Sequence, residues 1–303
     1  MAIDKVWLIP VAGFVTGVVS LFVPYAIGAS IGDIDAVWPY ISDGGAKPPE
    51  SCIFGQLLNT FALFLALCMY LRHRQIVTFY WHLLKRNGKV WRGLSLALLI
   101  MGWVAALGTS MVANFQETSV IQVHWASAII AFGLGTIYIW AQTVYSYLMR
   151  PRMHTKWLCH IRLIICTLAT CAGIQMFVAS RVLSAQKADA AKHGPTTTTS
   201  MTTTTRAKYP SHYTPGDVGY EAHLAVTTGE WLLVLFFMVY LLTYAYELRL
   251  TVLHAPKLEL KRRTLKKFEH HVYCVAGHEN PIVEDNNGIT NPTLQLEPYD
   301  LRV

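Results

Sequence analysis

The sequence predicts an all-α, polytopic membrane protein, a bundle of six transmembrane helices with both termini in the cytosol. Of its 303 residues, 53% are hydrophobic and only 14% are charged, whereas soluble domains usually carry about 25% charged residues. The hydrophobic residues form long runs, and a run of about 18 or more with few charges is typical of a membrane span. Six such runs occur, at about residues 7–29, 53–71, 93–113, 120–147, 163–183 and 223–246.

The first run is expected to remain in the protein as an uncleaved span. It is long, and the segment 24–27 near its end offers no clear small-residue cleavage site. Within it, Gly13 and Gly17 are spaced for close packing against another helix. The second run begins with Gln56 and Asn59, which lie three residues apart and therefore share one face of a helix.

The fourth run is predicted to have a defined inward face. His124 opens it, and Ser127, Ala131 and Gly135 follow at intervals that place them on the same side of a helix. Three small residues at this spacing allow a neighbouring helix to approach closely. Gln142 lies on the same face near the other end, so both polar ends of this helix are expected to point into the bundle.

The sixth run carries a carboxyl group within an apolar span. His223, Thr227 and Glu230 lie at i, i+4 and i+7, which forms one stripe of a helix. A carboxyl group in this position is expected to be protonated or partnered, with His223, His124 or Arg181 as the candidate partner. Two interpretations remain open: a polar clamp that sets helix register, or a pocket on the outer side for a lipid head group, a proton or an ion.

Polar and ionisable residues concentrate toward the outer half of the predicted bundle, where they form a candidate polar or ligand-binding cluster. A zinc hydrolase would use histidines and carboxylates of this kind. These residues are scattered, however, and none has the HExxH-type spacing of a zinc enzyme. No catalytic residue, metal site or cofactor is therefore predicted. The candidate cluster consists of Asp43, Glu50, Gln56, Asn59, His124, His223 and Glu230.

The basic residues predict the orientation. The first outer loop has four carboxylates and one lysine, and the loop at 114–119 has neither Lys nor Arg. Loops rich in Lys and Arg remain in the cytosol, and the net charge of +7 is attributed to this bias, since no nucleic-acid-binding motif accompanies it. The basic residues assigned to the cytosolic side are Arg72, Arg74, Lys85, Arg86, Lys89, Arg92, Arg150, Arg152, Lys156, Lys257, Lys261, Arg262, Arg263, Lys266 and Lys267.

The predicted organisation is one membrane domain followed by a tail. Residues 1–250 form the six-span domain, with a long outer loop at about 184–222 that contains the threonine-rich insert Thr196–Thr205. Residues 251–275 form a basic juxtamembrane segment, and 276–303 a disordered cytosolic tail. The basic segment is either a helix that contacts anionic lipid through its six lysines and arginines or a plain stop-transfer anchor.

Several sequence blocks resemble one protein family. They read WPYISDG at 38–44, PESCIFGQLLN at 49–59, VANFQ at 112–116, FGLG at 132–135, and GY and EW at 219–220 and 230–231. Together with shorter matches they run in order across all the spans. They are similar to the DRAM family, the damage-regulated autophagy modulators, within a superfamily that also holds TMEM150-type proteins and the post-GPI-attachment factor.

The resemblance implies a six-span protein of the lysosomal or endosomal membrane that promotes autophagy and has a link to stress-induced cell death, or apoptosis. It supplies no reaction, so a non-enzymatic protein is expected. In a lysosome the outer side is the acidic lumen, where histidines are mostly protonated. The cluster would then hold the helices in one arrangement, or sense lumenal pH or lipid, and the cytosolic loops would report it.

Two alternatives remain open. The first is a plasma-membrane scaffold of the TMEM150 type that regulates phosphoinositide synthesis through its basic tail. The second is a membrane-embedded enzyme that processes lipids or GPI anchors. The expected partners are the lipid bilayer, anionic lipids at its cytosolic face, and proteins that the sequence does not identify. Nucleic acid is not expected.

Overall fold

The computed structural model describes residues 2–78, 88–148, 155–192 and 213–254, and its framework is six long helices. Each is long and apolar enough to cross a membrane, and each coincides with one of the six predicted runs, which confirms the predicted fold class. The helices are α1 (Leu8–Ile31), α2 (Glu50–Thr78), α3 (Gly88–Asn114), α4 (Ile121–Leu148), α5 (Lys156–Lys192) and α6 (Tyr220–Leu248).

The helices form a closed bundle. Each packs against its neighbours in the sequence, and α6 returns to pack against α1. In hydrocarbon an α-helix satisfies its own backbone hydrogen bonds, which is why apolar runs of this length are helical. The helix α6 also touches α2 and, more sparsely, α4. It therefore contributes side chains to the centre of the bundle along much of its length.

The chain enters and leaves the bundle at the same end. The two-residue strands β1 (Ala2–Ile3) and β2 (Leu253–His254) pair in antiparallel fashion, as an even number of crossings requires. We call this the strand end. At the opposite end a 3-10 helix, Ile41–Gly45, packs on α1, α2 and α6, and we call this the loop end. Which end faces the cytosol stays a prediction.

The predicted close-packing face of the fourth span is confirmed. Its partner is Gly108 of α3, where an added Cβ would lie 2.9 Å from the Ser127 oxygen and 3.0 Å from the Ala131 nitrogen of the α4 backbone. Gly17 of α1 is similarly enclosed by Phe61, whose ring would lie 3.0 Å from an added Cβ. Small residues therefore determine how closely these helices approach.

Two predicted helix boundaries are wrong. The helix α2 continues past residue 71 to Thr78, so Arg72 lies inside a helix and is buried instead of occupying a cytosolic loop. The helix α5 continues past residue 184 to Lys192, because the Ala-rich segment there favours a helix over a loop. The threonine-rich insert and the basic segment from Lys257 to Lys267 lie outside the described residues.

Candidate functional site

The helix α6 holds the loop end of the bundle through two consecutive residues. The Glu230 carboxylate accepts a hydrogen bond from the backbone N–H of Ile41 at 3.2 Å, and the Trp231 indole donates to the Pro39 carbonyl at 2.9 Å. Trp38 has a left-handed backbone (φ 51°), which is unfavourable for a bulky residue, and its ring stacks on Trp231 at 6.0 Å. The loop is thus anchored by packing as well as by hydrogen bonds.

Three carboxyl groups meet beneath this loop. The Ser42 hydroxyl donates to Glu117 at 2.5 Å, and Asp43 accepts from the backbone N–H of Tyr40 at 2.9 Å. Asp43, Glu117 and Glu230 lie close enough to repel one another when they are charged. We call these three residues the acidic cluster.

Two groups in the loop, the Asp43 carboxyl and the Tyr40 hydroxyl, have raised pKa values. Burial, and next the Glu117 carboxylate, raise the pKa of Asp43 from 3.8 to about 8, although the Tyr40 N–H opposes the shift. Burial and the nearby carboxylates also raise the pKa of the Tyr40 hydroxyl above its usual range. At neutral pH Asp43 therefore holds its proton much of the time, and at pH 5 almost always.

The two predicted histidines lie near the same end in different surroundings. The Nδ1 atom of His124 is 2.8 Å from the Phe115 carbonyl, which can only accept, and its Nε2 is 3.8 Å from the Glu117 carboxylate. His223 stacks on the ring of Tyr213 at 4.0 Å and meets Tyr40 edge-on at 5.0 Å. Its Nδ1 atom has no hydrogen-bond partner among the described residues.

The predicted cluster is therefore only partly brought together. Asp43, His124 and Glu230 gather around Glu117, which the prediction omitted. Its sequence signal is a carboxylate placed directly before a span. The observed partner of Glu230 is the backbone N–H of Ile41, which differs from the predicted partners His223, His124 or Arg181.

The remaining predicted residues lie elsewhere. Gln56 is exposed, and Asn59 belongs to a polar link between α2 and α3, where its amide bonds Asn114 at 3.1 Å and accepts from Ser110 at 2.6 Å. Glu50 begins α2 and is fully buried, and neither of its carboxyl oxygens has a hydrogen-bond partner among the described residues. The helix N-terminus favours a carboxylate at that position.

A second buried cluster, which the sequence analysis missed, lies near the strand end. Glu247 of α6 accepts from Arg162 of α5 at 2.8 Å and forms an ion pair with Arg72 of α2. All three side chains are at most 1% exposed. Polar groups on three helices, α2, α4 and α6, also accept hydrogen bonds from the two guanidinium groups, namely Gln75, Gln142, Ser146 and Thr243. We call Arg72, Arg162 and Glu247 the charged triad.

Aromatic rings cover the charged triad on its inner side. The guanidinium of Arg162 lies 5.0 Å from the ring centre of Tyr244 and 5.7 Å from that of Tyr240, and the guanidinium of Arg72 lies 5.6 Å from Tyr244. A cation over an aromatic face is stabilised, more so when it is desolvated. These rings therefore help to stabilise two cations that share one carboxylate.

An apolar cavity of about 110 Å³ lies between the two clusters. Glu230 and Ser42 line it toward the loop end, and Tyr138, Tyr240 and Tyr244 line it toward the strand end. Across the described ranges, no group of three or more His, Cys, Asp or Glu side chains is arranged to hold a metal ion.

These features define an integral membrane protein, a closed six-helix bundle with buried ionisable groups near both ends and an apolar cavity between them. Residues 5–251 match the family model described as the Frag1/DRAM/Sfk1/Cwh43P N-terminal domain. The chain belongs to this family, and the resemblance to the DRAM family is confirmed.

Several curated relatives carry names that describe a cellular role. DNA damage-regulated autophagy modulator protein 2 of Homo sapiens is 32% identical over 220 residues, which cover 73% of this chain and 75% of the relative. DNA damage-regulated autophagy modulator protein 1 of Homo sapiens is 29% identical over 74% of this chain and 83% of its own length. Modulator of macroautophagy TMEM150B of Danio rerio is 35% identical over 56% of this chain and 71% of its own length. No solved structure matches the chain significantly.

Proposed function

We propose that the chain is a non-enzymatic protein of the lysosomal or late endosomal membrane that modulates autophagy and stress-linked cell death. Its loop end faces the lumen, and the acidic cluster is a lumen-side polar pocket that responds to protons. The names of the relatives support the cellular role. The observation that carries the proton response is the meeting of Asp43, Glu117 and Glu230 beneath a loop that α6 holds.

The physical basis is repulsion between carboxylates in a poorly solvated site. Charges a few ångströms apart interact far more strongly there than in water. At the pH of a lysosomal lumen Asp43 is protonated, the repulsion is relieved, and the loop stays closed on α6. As the lumenal pH rises toward 8, charge returns to Asp43 and weakens this closure. Because α6 carries both Glu230 and Glu247, it can transmit the change to the strand end.

The pH dependence of stability tests the acidic cluster. Because the pKa of Asp43 is raised from 3.8 to about 8 in the folded protein, the folded state binds this proton more tightly than the unfolded state does. The stabilisation is complete below pH 4 and is lost as the pH rises toward 8, by at most about 1.4 kcal/mol per pH unit. Asp43→Asn should flatten this dependence in thermal unfolding between pH 5 and pH 8.

The control for this measurement is Asp189→Asn. The Asp189 side chain is 70% exposed and forms a surface ion pair with neighbouring Lys192, so the slope between pH 5 and pH 8 should remain that of the unmodified protein. An unchanged slope in Asp43→Asn would show that the Asp43 carboxyl does not take up the proton.

Cellular experiments test the role and the location together. The tagged protein should lie on acidic vesicles, and a pH-sensitive fluorescent tag on its C-terminus should report cytosolic pH. Glu230→Gln removes the carboxylate that binds the loop and should change autophagic flux, whereas Glu221→Gln, at an exposed position of the same helix, should not. Normal folding, location and flux in Glu230→Gln would exclude a working role for the acidic cluster, and location at the cell surface would favour the TMEM150-type scaffold.

A further inference from the structure

We propose that the cavity between the acidic cluster and the charged triad binds one hydrocarbon chain of a membrane amphiphile, with the oxygen-bearing end of that chain at Tyr138 and Tyr244. The cavity supplies an apolar path along the bundle, and the two tyrosines supply the polar contact. This site is distinct from the proton response proposed above, because the cavity shares Ile41, Ser42 and Glu230 with that region but neither Asp43 nor Glu117.

The cavity is long. Its lining on α6 extends from Glu230 to Tyr244, and its lining on α2 extends from Phe54 to Met69. At 1.5 Å per residue these stripes rise roughly 21 Å and 22 Å along their helices. One leaflet of a bilayer has a hydrocarbon depth of roughly 15 Å, half of the usual core. The cavity is therefore long enough for most of an extended lipid chain.

The cavity is also narrow and almost wholly apolar. Its volume of about 110 Å³ is below the roughly 150 Å³ of an engineered cavity that binds benzene, so a hydrocarbon chain fills it only as the lining side chains move apart along the path. A small volume spread over this length suits a thin, flexible chain and excludes a broad fused-ring body. Leucine, phenylalanine, valine and alanine side chains supply most of the wall, which favours a hydrocarbon.

The end nearer the charged triad has unused hydrogen-bonding capacity. The hydroxyls of Tyr138 and Tyr244 are buried, with side chains 3% and 2% exposed. They lie close enough to interact with each other, and neither has a hydrogen bond to any other described residue. If they bonded each other, one O–H would still lack an acceptor, because each hydroxyl has one hydrogen to donate. The Tyr240 hydroxyl, by contrast, lies 3.0 Å from that of Thr143.

The charges behind the tyrosines select the polar group. Among the described residues, Arg72 and Arg162 lie against the Tyr244 ring and both form ion pairs with the carboxylate of Glu247. Two guanidinium groups beside the Tyr244 ring favour an electron-rich acceptor, such as a carboxylate or ester carbonyl oxygen, near its hydroxyl. A fatty acid and the acyl chain of a lysophospholipid both offer this chemistry.

On this proposal the chain enters from the bilayer between α4 and α6. These helices contact each other sparsely, and the half-buried rings of Phe132 and Phe237 lie between them with centres 6.5 Å apart. Gly135 adjoins the same place, since a Cβ there would lie 3.1 Å from the Phe237 ring. All three residues line the cavity, so a chain can enter sideways by displacement of two aromatic side chains.

Photolabelling of the full-length purified protein in lipid nanodiscs tests the site. A photoreactive palmitic acid should label peptides of α2, α4 and α6 that line the cavity, and excess unlabelled palmitic acid should compete. Ala105→Leu fills the cavity from α3 and should reduce labelling at least fivefold. The matched control is Ala97→Leu, because Ala97 is exposed on the same helix and the added carbons point away from the cavity.

The tyrosines provide a second test that does not disturb packing. Tyr138→Phe and Tyr244→Phe remove one hydroxyl each and should lower the affinity for photoreactive palmitic acid about fivefold to tenfold, as the loss of a buried hydrogen bond predicts. A photoreactive alkane of equal length should label these variants and the unmodified protein alike. If Tyr138→Phe and Tyr244→Phe reduced labelling by the acid and by the alkane equally, the assignment of the polar end to these two hydroxyls would be overturned.

The same experiment identifies the source of the chain. Preferential labelling by photoreactive palmitic acid would identify a free fatty acid, and preferential labelling by a photoreactive lysophospholipid would identify a lysolipid. Labelling by photoreactive cholesterol alone, or labelling that Ala105→Leu leaves unchanged in a folded protein, would overturn the proposal. Neither result bears on how the stability of Asp43→Asn depends on pH, so failure of this proposal is distinguishable from failure of the proton response.

Discussion

Replacement of Glu247 by glutamine is expected to lower the free energy of unfolding by about 3–5 kcal/mol, the usual cost of removing one partner from a buried ion pair. Glu247 is fully buried and lies between Arg72 and Arg162. The amide keeps the size of the side chain but not its charge, and arginine retains its proton in proteins. The variant therefore leaves two buried cations without the carboxylate that lies between them. Unfolding of the purified protein in detergent measures the loss.

The control for this prediction is Glu221→Gln on the same helix, where the side chain is exposed and the expected change is within about 0.5 kcal/mol. Arg162→Met, made alone and together with Glu247→Gln, then measures the coupling. The double variant should lose much less unfolding free energy than the sum of the losses in the two single variants, because contacting residues in one charged network are not independent. Equal stability of Glu247→Gln and Glu221→Gln would contradict the ion-pair account.

Gly229→Ala is expected to destabilise the protein by about 1–3 kcal/mol through overpacking. A Cβ at Gly229 would lie 2.9 Å from the Ala172 oxygen and 2.9 Å from the Met176 nitrogen. Both atoms belong to the backbone of α5, so the two helices must separate. Helix propensity alone would make the alanine variant more stable by about 1 kcal/mol. A measured loss of stability would therefore show that overpacking outweighs helix propensity at this position. Thermal unfolding followed by size-exclusion chromatography measures it.

Gly133→Ala is the matched control for Gly229→Ala. It is the same substitution inside a transmembrane helix, but Gly133 is exposed on α4 and nothing lies within 4 Å of the added Cβ. Its stability should stay the same or rise. If Gly229→Ala were as stable as Gly133→Ala, the close approach of α5 and α6 would not depend on the absence of a side chain at residue 229.

Glu247 and Gly229 both lie on α6, which also holds the loop at residues 38–45 through Glu230 and Trp231. This helix therefore connects the acidic cluster, the cavity and the charged triad. In the proposed function, a change of charge beneath the loop reaches the strand end along α6, and a bound hydrocarbon chain would lie against the same helix. The Glu247 and Gly229 variants measure how firmly α6 is held, which sets how far it can move.

The membrane fold could be predicted because it depends on local composition. A run of about 20 apolar residues has no other stable form in hydrocarbon than a helix, so six runs became six helices. The small residues Ser127, Ala131 and Gly135 identified the close-packing face of α4 for a similar reason, since helical spacing alone places them together. That face could be recognised before its partner, Gly108, was known.

The acidic cluster could be predicted only in part. Asp43 and Glu230 were recognised because a carboxylate near or inside an apolar segment is conspicuous. The binding partner of Glu230 was not, because it is the backbone N–H of Ile41, a group that almost every residue possesses. Only the position of the loop over α6 selects that one N–H among all the others.

The sequence by itself therefore determined the class of the protein, its six spans and the carboxylate-rich character of one end. The tertiary structure alone decided that Arg72 and Arg162, on α2 and α5, share Glu247 of α6. In the sequence, Arg72 marked the end of a span, because a lone charge in hydrocarbon is costly. The cost falls when opposite charges from three helices meet, and that meeting depends on packing between segments separated by 175 residues.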